Sequence, residues 1–326
     1  MINPYSGINW GTHLQIHSIS HAHSTTQEEF NYLYEDGIRH FPISNYYLST
    51  PFYPLGDFIT PPLDAIGCPN AEHHGMTDTQ LHLCAIGSTF TSGTEDTQAA
   101  IGVNANWRST FASVISTLIY TNGGGITLNH PIWSKLPFLD ILKFLDYSQL
   151  VLGVEIYNDS SVEDKTNAPI TLWDKILSTG RRCWGFCVSD HSARNLDAVW
   201  NGRNILLTPD TTEQSCAVAY RNGAFYGALK GNGLTFTNIT VTSSQIQVST
   251  NQATRIEFFS NKGRVKQVYE PTAVYALNRE EIFVRMEAFD ASGERLFSQP
   301  IMFKNVSDVA TIQRRKRYYR DYPMLF

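Results

Sequence analysis

The chain has 326 residues, more than the roughly 250 to 300 at which a single hydrophobic core stops growing, so a large and a small domain are expected. Its 42% apolar, 12% aromatic and 17% charged residues make a globular composition and exclude a disordered chain. A net charge of −5 with a pI near 6.0 argues against a generally basic nucleic-acid surface, five cysteines without a CxxC pair exclude a disulfide framework or cysteine zinc knuckle, and no apolar run reaches the about 18 residues of a membrane span.

Reduced thiols and an opening Met-Ile-Asn-Pro-Tyr-Ser without a basic-then-apolar pattern predict a cytoplasmic location. The first element is the densest in chemistry: His13, His17, His21 and His23 fall within eleven residues. Thr12 to His17 reads as a strand whose alternation sets His13, Gln15 and His17 on one face and Leu14 and Ile16 on the core face. Imidazoles this crowded suit a borderline divalent metal such as zinc, iron or manganese; the plain alternative is a hydrogen-bonded polar strand end.

Thr25-Thr26-Gln27-Glu28 has capping-box spacing, and Phe30, Leu33 and Tyr34 share one face of the helix that Gly37 stops. Ile38 to Ser44 reads as a second strand, Ser49 to Asn70 as a Pro- and Gly-rich loop, and Gln80 to Gly87 as a third strand carrying His82. A helical region from Glu95 to Tyr120 ends at Asn122-Gly123-Gly124-Gly125, which suits either a helix stop or a phosphate cradle. Ile126 to Leu128 then delivers Asn129-His130-Pro131, where the proline leaves His130 at a strand's carboxyl end.

Helices at Leu136 to Tyr147, Ala168 to Ser178 and Thr212 to Arg221 alternate with strands at Leu152 to Tyr157, Cys183 to Val188 and Asn204 to Leu207. Glu155 lies mid-strand as a hydrogen-bonding partner, Cys183 and Cys187 read as core thiols, and Ser189-Asp190-His191 follows a strand end. Such alternation predicts parallel βα units, about seven of them, and hence a βα barrel with its site at the strands' carboxyl ends over residues 1–231. Period-2 runs with Asn-Lys-Gly and Ala-Ser-Gly turns predict a small antiparallel β-sandwich over 232–305. Residues 306–326 form a tail whose Arg-Arg-Lys-Arg-Tyr-Tyr-Arg run suits a solvated or docking arm, with phosphate or nucleic acid as the weaker alternative.

The order of the His-rich strand end, Glu72, His82, Gly-Gly-Gly-Ile-Thr-Leu-Asn-His130-Pro131, Gly153-Val154-Glu155-Ile156-Tyr157-Asn158 and Val188-Ser189-Asp190-His191 resembles the PHP (polymerase and histidinol phosphatase) family, specifically its metal-dependent phosphoesterase-like members. The likeness covers about residues 10–230, and the strands after them are similar to the sandwich that some members append. It implies a distorted seven-stranded βα (TIM-like) barrel and two or three metal ions bridged by a carboxylate, and the complement expected for this chain is one to three divalent ions (Zn, Mn or Fe). Glu72 matches that bridging glutamate, His130 the histidine of the third motif, and Asp190-His191 a contracted form of the closing Asp-x-His. The family's opening His-x-His falls on Gln15 and His17, so His13 is the candidate substitute, and its Thr-Asp-His falls on Ser44, Asn45 and Tyr46.

The metal set read from the sequence is therefore His13, His17, Glu72, His130, Asp190 and His191, with Asp190 and His191 as catalytic groups and His21 or His23 able to complete the shell. The expected activity is hydrolysis of a phosphate ester, a small molecule or nucleotide, by metal-activated water. The alternative is a catalytically degenerate barrel serving as a binding or structural module, as a homo-oligomer or within a larger assembly.

Overall fold

In the computed structural model the described residues are 1–24, 26–45, 62–90, 105–190, 201–230, 233–278 and 280–321, the side chains of 315–321 excepted. In chain order the elements are β1 (Leu14–Ser18), α1 (Gln27–Glu35), β2 (His40–Phe41), β3 (Ile66–Gly67), β4 (Glu72–His73), β5 (Leu83–Ile86), α2 (Trp107–Ser116), β6 (Gly125–Leu128), α3 (Phe138–Tyr147), β7 (Val151–Asn158), α4 (Ala168–Leu177) and β8 (Trp184–Val188). There follow β9 (Gly202–Thr208), α5 (Glu213–Asn222), β10 (Phe225–Leu229), β11 (Phe236–Val241), β12 (Gln245–Thr250), β13 (Arg255–Ser260), β14 (Gly263–Val268), β15 (Thr272–Ala276), β16 (Phe283–Phe289), β17 (Arg295–Ser298), β18 (Ile301–Met302) and α6 (Val306–Asp321).

Helix starts and stops have local causes. The Thr26 hydroxyl accepts from the Glu29 amide while the Glu29 carboxylate accepts from the Thr26 amide, a capping box one residue beyond the predicted one. Asn106 and Thr212 cap α2 and α5 in the same way. Apolar faces then dock the helices: α3 buries Ile141, Phe144 and Leu145, and α4 buries Ile170, Trp173, Ile176 and Leu177, in one cluster with Val151, Val154 and Ile156 of β7. Truncating a buried side chain of this size to alanine costs about 3–5 kcal/mol, so this cluster fixes where β7 stands. Gly153 lets β8 come close, since a Cβ there would sit 1.9 Å from the Trp184 carbonyl oxygen.

The seven-stranded βα barrel expected from the sequence does not form among the described residues. The strands lie instead in three sheets: a ten-stranded one in the order β14-β13-β16-β17-β10-β9-β1-β2-β3 with β18 on β16, a three-stranded one (β11-β12-β15), and a five-stranded one (β4-β5-β6-β7-β8). Parallel pairing is confined to β1-β2-β3 and β6-β7-β8, whereas β1 runs antiparallel to β9, β9 to β10, and β5 to both β4 and β6. Strand-helix alternation does not set strand direction. At the end of α5, Gly223 takes a left-handed φ of 72° and stops the helix, and β10 then pairs antiparallel with β9.

The expected self-contained sandwich is corrected in the same way. β17 pairs with β10, so strands from the carboxyl-terminal part extend the sheet that contains β1, and the sheet continues past residues 231 and 232. Only β11, β12 and β15 stand apart, and they share one apolar cluster with that sheet, in which Ile239, Ile246 and Val248 meet Ile205, Tyr226, Ile256, Phe258 and Met286. Arg285 of β16 also grips α4, with Nε and Nη2 on the two Asp174 oxygens at 2.6 and 2.8 Å and Nη1 on Glu287 at 2.6 Å. Among the described residues no helix is long and apolar enough to cross a membrane.

Candidate metal centre

Beyond the carboxyl end of β1 the chain runs through Ile19 to Ser24 with Ala22 buried and His21 and His23 turned to the opposite side. This segment is held by polar groups of neighbouring loops. The Ser44 hydroxyl accepts from the Ala22 amide and donates to its carbonyl, Asn45 bonds both the amide and the carbonyl of Ser24, and the Asn70 amide reaches the carbonyls of Ser20 and Pro42. Ser44 and Asn45 stand where the family pattern has Thr and Asp; here they hold the histidine segment in place. Tyr46 lies outside the described residues.

Glu72, on β4, is the centre of the site. Its Oε2 lies 3.3 Å from His21 Nε2 and 3.2 Å from His23 Nε2, while its Oε1 lies 3.1 Å from His82 Nδ1 and 3.3 Å from His130 Nε2. Asp190 completes the first side, with Oδ1 at 3.0 Å from His21 Nε2 and 3.3 Å from His23 Nε2. Two groups result, His21, His23, Glu72 and Asp190, and Glu72, His82 and His130, each offering ligand atoms within 4.8 Å of one another. They border a cavity of about 210 Å³ also lined by Trp133, Ser160 and Ser161.

Backbone geometry aims two of these side chains. His130 and Asp190, at the ends of β6 and β8, take positive φ values of 24° and 51°, a conformation that L residues adopt only when their surroundings impose it. The His130 amide donates to Glu155 Oε2 at 2.7 Å and the Asp190 amide to the His21 carbonyl at 2.9 Å. Glu155 also holds His21, its Oε1 lying 2.7 Å from His21 Nδ1, and the Asn158 amide bridges Glu155 and Asp190 at 2.9 and 3.0 Å.

That arrangement fits a cation. With its Nδ1–H given to Glu155, the buried His21 aims Nε2 at carboxylate oxygens of Glu72 and Asp190, 3.3 and 3.0 Å away. Three acceptors converging on one point need either a proton or a metal ion between them. The charges show the same demand. Burial works against the imidazolium of His21, yet Asp190, Glu72 and Glu155 raise it well above the ordinary value, and burial works against ionised Glu72, yet His21 and hydrogen bonds from His130, His21 and His23 hold it well below the carboxylate range. Asp190 is lowered by the same histidines against the same burial.

Of the residues expected from the sequence, Glu72, His130 and Asp190 meet here. His13 does not: it lies at the other end of β1, its Nδ1 accepting the Asn9 amide at 3.3 Å, beside a separate cavity of about 370 Å³. That cavity is the larger of the two but has no acid in its lining, so it is not where the chemistry gathers. His17 is also elsewhere, packed near Gly37, with burial and then the charges of Arg203 and Arg39 pushing it down to about 4. His191 lies outside the described residues. The metal set read from the sequence gives His21 or His23 only the part of completing the shell and leaves out His82, although the His-x-His spacing is present at positions 21 and 23. Its register is missed because the strand ends at Ser18 and the chain goes on for two more residues before the first of the pair.

The glycine turn after α2 is no phosphate cradle. The amides of Gly123 and Gly124 are used by the carbonyls of Tyr120 and Ala217, and their carbonyls take the Arg221 guanidinium.

No family model and no curated protein matches this chain. The chain is similar to one protein of known structure. That protein, from Bacteroides vulgatus ATCC 8482, is described as a two-domain protein containing a predicted PHP-like metal-dependent phosphoesterase; the two are 10% identical over 93% of this chain and 97% of that one, with a TM-score of 0.48.

Proposed function

We propose that the protein is a metal-dependent phosphoesterase-type hydrolase, with a dinuclear centre held by His21, His23 and Asp190 on one side, His82 and His130 on the other, and Glu72 between. The observation that carries this reading is Glu72, whose two oxygens face two different histidine groups, as a carboxylate bridging two cations requires. Divalent ions bound there would acidify a water towards neutral pH and polarise a phosphoryl group.

The chain's own residues supply the rest. Glu155 fixes the His21 tautomer so that Nε2 faces the centre, and the Ser134 hydroxyl, 3.0 Å from His130 Nδ1, holds the orientation of the His130 ring. Asn158 keeps Asp190 Oδ2 engaged, leaving Oδ1 for the histidine side. Among the described residues neither lysine nor arginine lines the cavity, so positive charge for a phosphate must come from what the histidines and acids hold.

The reading of a degenerate binding module gains less from the geometry. Of the departures at Gln15, Asn45 and Tyr46, the first two fall on side chains with structural partners and the third lies outside the described residues, and the cluster gathers with neither Gln15 nor Asn45 as a member. The test is elemental analysis of purified protein together with phosphate release from monoesters and nucleotides. Close to two metals per chain and turnover abolished by Glu72→Gln are expected. Folded protein that takes up no metal from zinc, manganese or iron and releases no phosphate overturns the proposal.

A further inference from the structure

Trp133 stands at the rim of the metal centre half exposed, at 50%, although it is a large apolar side chain. It is not a loose surface residue. Its amide donates to Asp164 Oδ2 at 2.9 Å and the Ile132 amide to Asp164 Oδ1 at 3.2 Å; Asp164 is itself buried and takes the Ser161 hydroxyl at 2.8 Å. The turn closes on itself through the Ser134 amide to the His130 carbonyl and the Lys135 amide to the Ile132 carbonyl, both at 3.0 Å. The indole ring is 5.0 Å from the His130 ring and 5.5 Å from the His82 ring, at 83° and 77° to them.

The chain thus fixes an aromatic surface in contact with two metal-facing histidines and leaves half of it to solvent. Every other residue lining the cavity is polar or charged, Glu72, His82, His130, Ser160, Ser161 and Asp190, so Trp133 is the single apolar element of the described lining. At about 210 Å³ the cavity is also smaller than the roughly 300 Å³ at which pockets begin to enclose a whole small-molecule ligand. A phosphoryl group fits inside. The alcohol part of an ester then has to pass the rim, where the indole is, and with no cationic side chain in the described lining a second anionic group would find no partner there.

Resting on the phosphoesterase reading above, we propose that Trp133 is the specificity-determining surface of the site, and that it selects phosphate esters whose alcohol carries a flat ring able to lie against the indole. Asp164 is its positioning residue, through the two amides it holds. The ring could belong to a nucleobase or to a simple aryl group, and both share the chemistry of a π face stacked on tryptophan.

The experiment measures binding and turnover in metal-loaded protein. Binding is read by calorimetry with two non-hydrolysable probes, benzylphosphonate and methylphosphonate, which differ only in the ring. Stacking on an aromatic side chain is worth roughly five- to hundredfold in affinity, so wild type is expected to favour benzylphosphonate by at least fivefold. Trp133→Ala and Trp133→Leu should remove that preference, Trp133→Tyr should keep most of it, and methylphosphonate affinity should stay unchanged in all three. Turnover of a nucleoside monophosphate, phenyl phosphate and glycerol phosphate, each as the ratio of wild type to Trp133→Leu, cancels leaving-group reactivity. A rise in KM for the nucleotide alone assigns the ring to a nucleobase, and a rise for both ring-bearing esters assigns it to any aryl group. Equal binding of the two phosphonates by wild type, or a preference that survives Trp133→Leu, overturns the inference while turnover of glycerol phosphate leaves the phosphoesterase reading standing. Absence of binding to both probes with no turnover of any ester overturns the phosphoesterase reading itself.

Discussion

Glu155→Gln is the substitution that separates a designed metal centre from a chance crowd of histidines. The carboxylate never faces the cavity, being buried between the His21 ring, which it meets at 2.7 Å through Oε1, and the His130 amide and Asn158 side chain, which it meets at 2.7 and 2.9 Å through Oε2. Glutamine has the same shape but only one acceptor oxygen. If that oxygen keeps the His130 amide, the new NH2 group points at His21 Nδ1–H, and the imidazole must shed that proton to Nε2 or turn. Either change spoils Nε2 as a ligand atom. A hydrogen bond to a charged group is worth about 1.5–3 kcal/mol, and losing a partner that orients a metal-binding histidine costs about ten- to hundredfold in metal affinity, which is the same range of free energy. Competition titration against a chromophoric chelator, with zinc or manganese, should show that loss in Glu155→Gln at unchanged stoichiometry. Wild-type affinity in a folded Glu155→Gln protein would refute the reasoning, because the His21 tautomer would then not be what prepares the site.

Other outcomes follow from the same coordinates. In metal-free protein His21, His23 and His130 are raised above the ordinary value by facing carboxylates that outweigh burial, so their contribution to stability is complete below about pH 6.5 and is lost as pH climbs through the raised values. Burial instead lowers His73 and His17 to about 4 and His40 to about 3, so their contribution is present above about pH 6.5 and lost as pH falls towards those values. The thermal midpoint of metal-free protein should therefore peak near pH 6.5 and decline by pH 8.5, and bound metal should remove the alkaline decline; a metal-free midpoint that rises over that interval contradicts the assignment. His21→Ala should lower the metal content, whereas His13→Ala should leave it at the wild-type value, as read by elemental analysis. Arg285→Ala should destabilise the fold by about 3–5 kcal/mol in denaturant titration, since it strands Asp174 and removes the tie between α4 and β16, without changing metal stoichiometry in the folded fraction.

The local elements were readable because their causes are local. The helix predicted at Ala168 to Ser178 spans Ala168–Leu177, the strand predicted at Cys183 to Val188 spans Trp184–Val188, and the caps of α1 and α5 are sequence neighbours of the residues they cap. Pairing was not readable, because its causes are distant. Leu14 lies opposite Thr208, and Tyr226 opposite Ser298, and nothing in the alternation of strand and helix patterns states that these strands run antiparallel. A reading that turns βα alternation into a parallel barrel assumes right-handed crossovers throughout. Here the strand that follows α5 pairs antiparallel with the strand that precedes it.

The site was legible where chemistry and strand ends coincide, at His130 before its proline and at Asp190 after an apolar strand, and illegible where a polar residue has a remote structural duty. Gln15 looked like a ligand position that had lost its imidazole; in the fold its amide donates to the Phe236 carbonyl at 2.9 Å and its oxygen takes the Tyr226 hydroxyl at 2.5 Å, so it joins β1 to β10 and β11. Ser44 and Asn45 looked like a lost acid and its neighbour, and they fasten the segment that carries His21 and His23. Gln15 and Asn45 read as missing ligands because hydrogen bonds to backbone atoms leave no trace in side-chain chemistry. Once those duties are assigned, the His-x-His at 21 and 23 needs no substitute from His13, and among the described residues the carboxylates in the two groups able to hold a metal are those of Glu72 and Asp190. A dinuclear centre on two carboxylates and four histidines carries more net positive charge than one with a third acid. It would hold a dianionic phosphate more tightly than a monoanionic diester, and that preference is measurable as the ratio of inhibition by inorganic phosphate to inhibition by dimethyl phosphate.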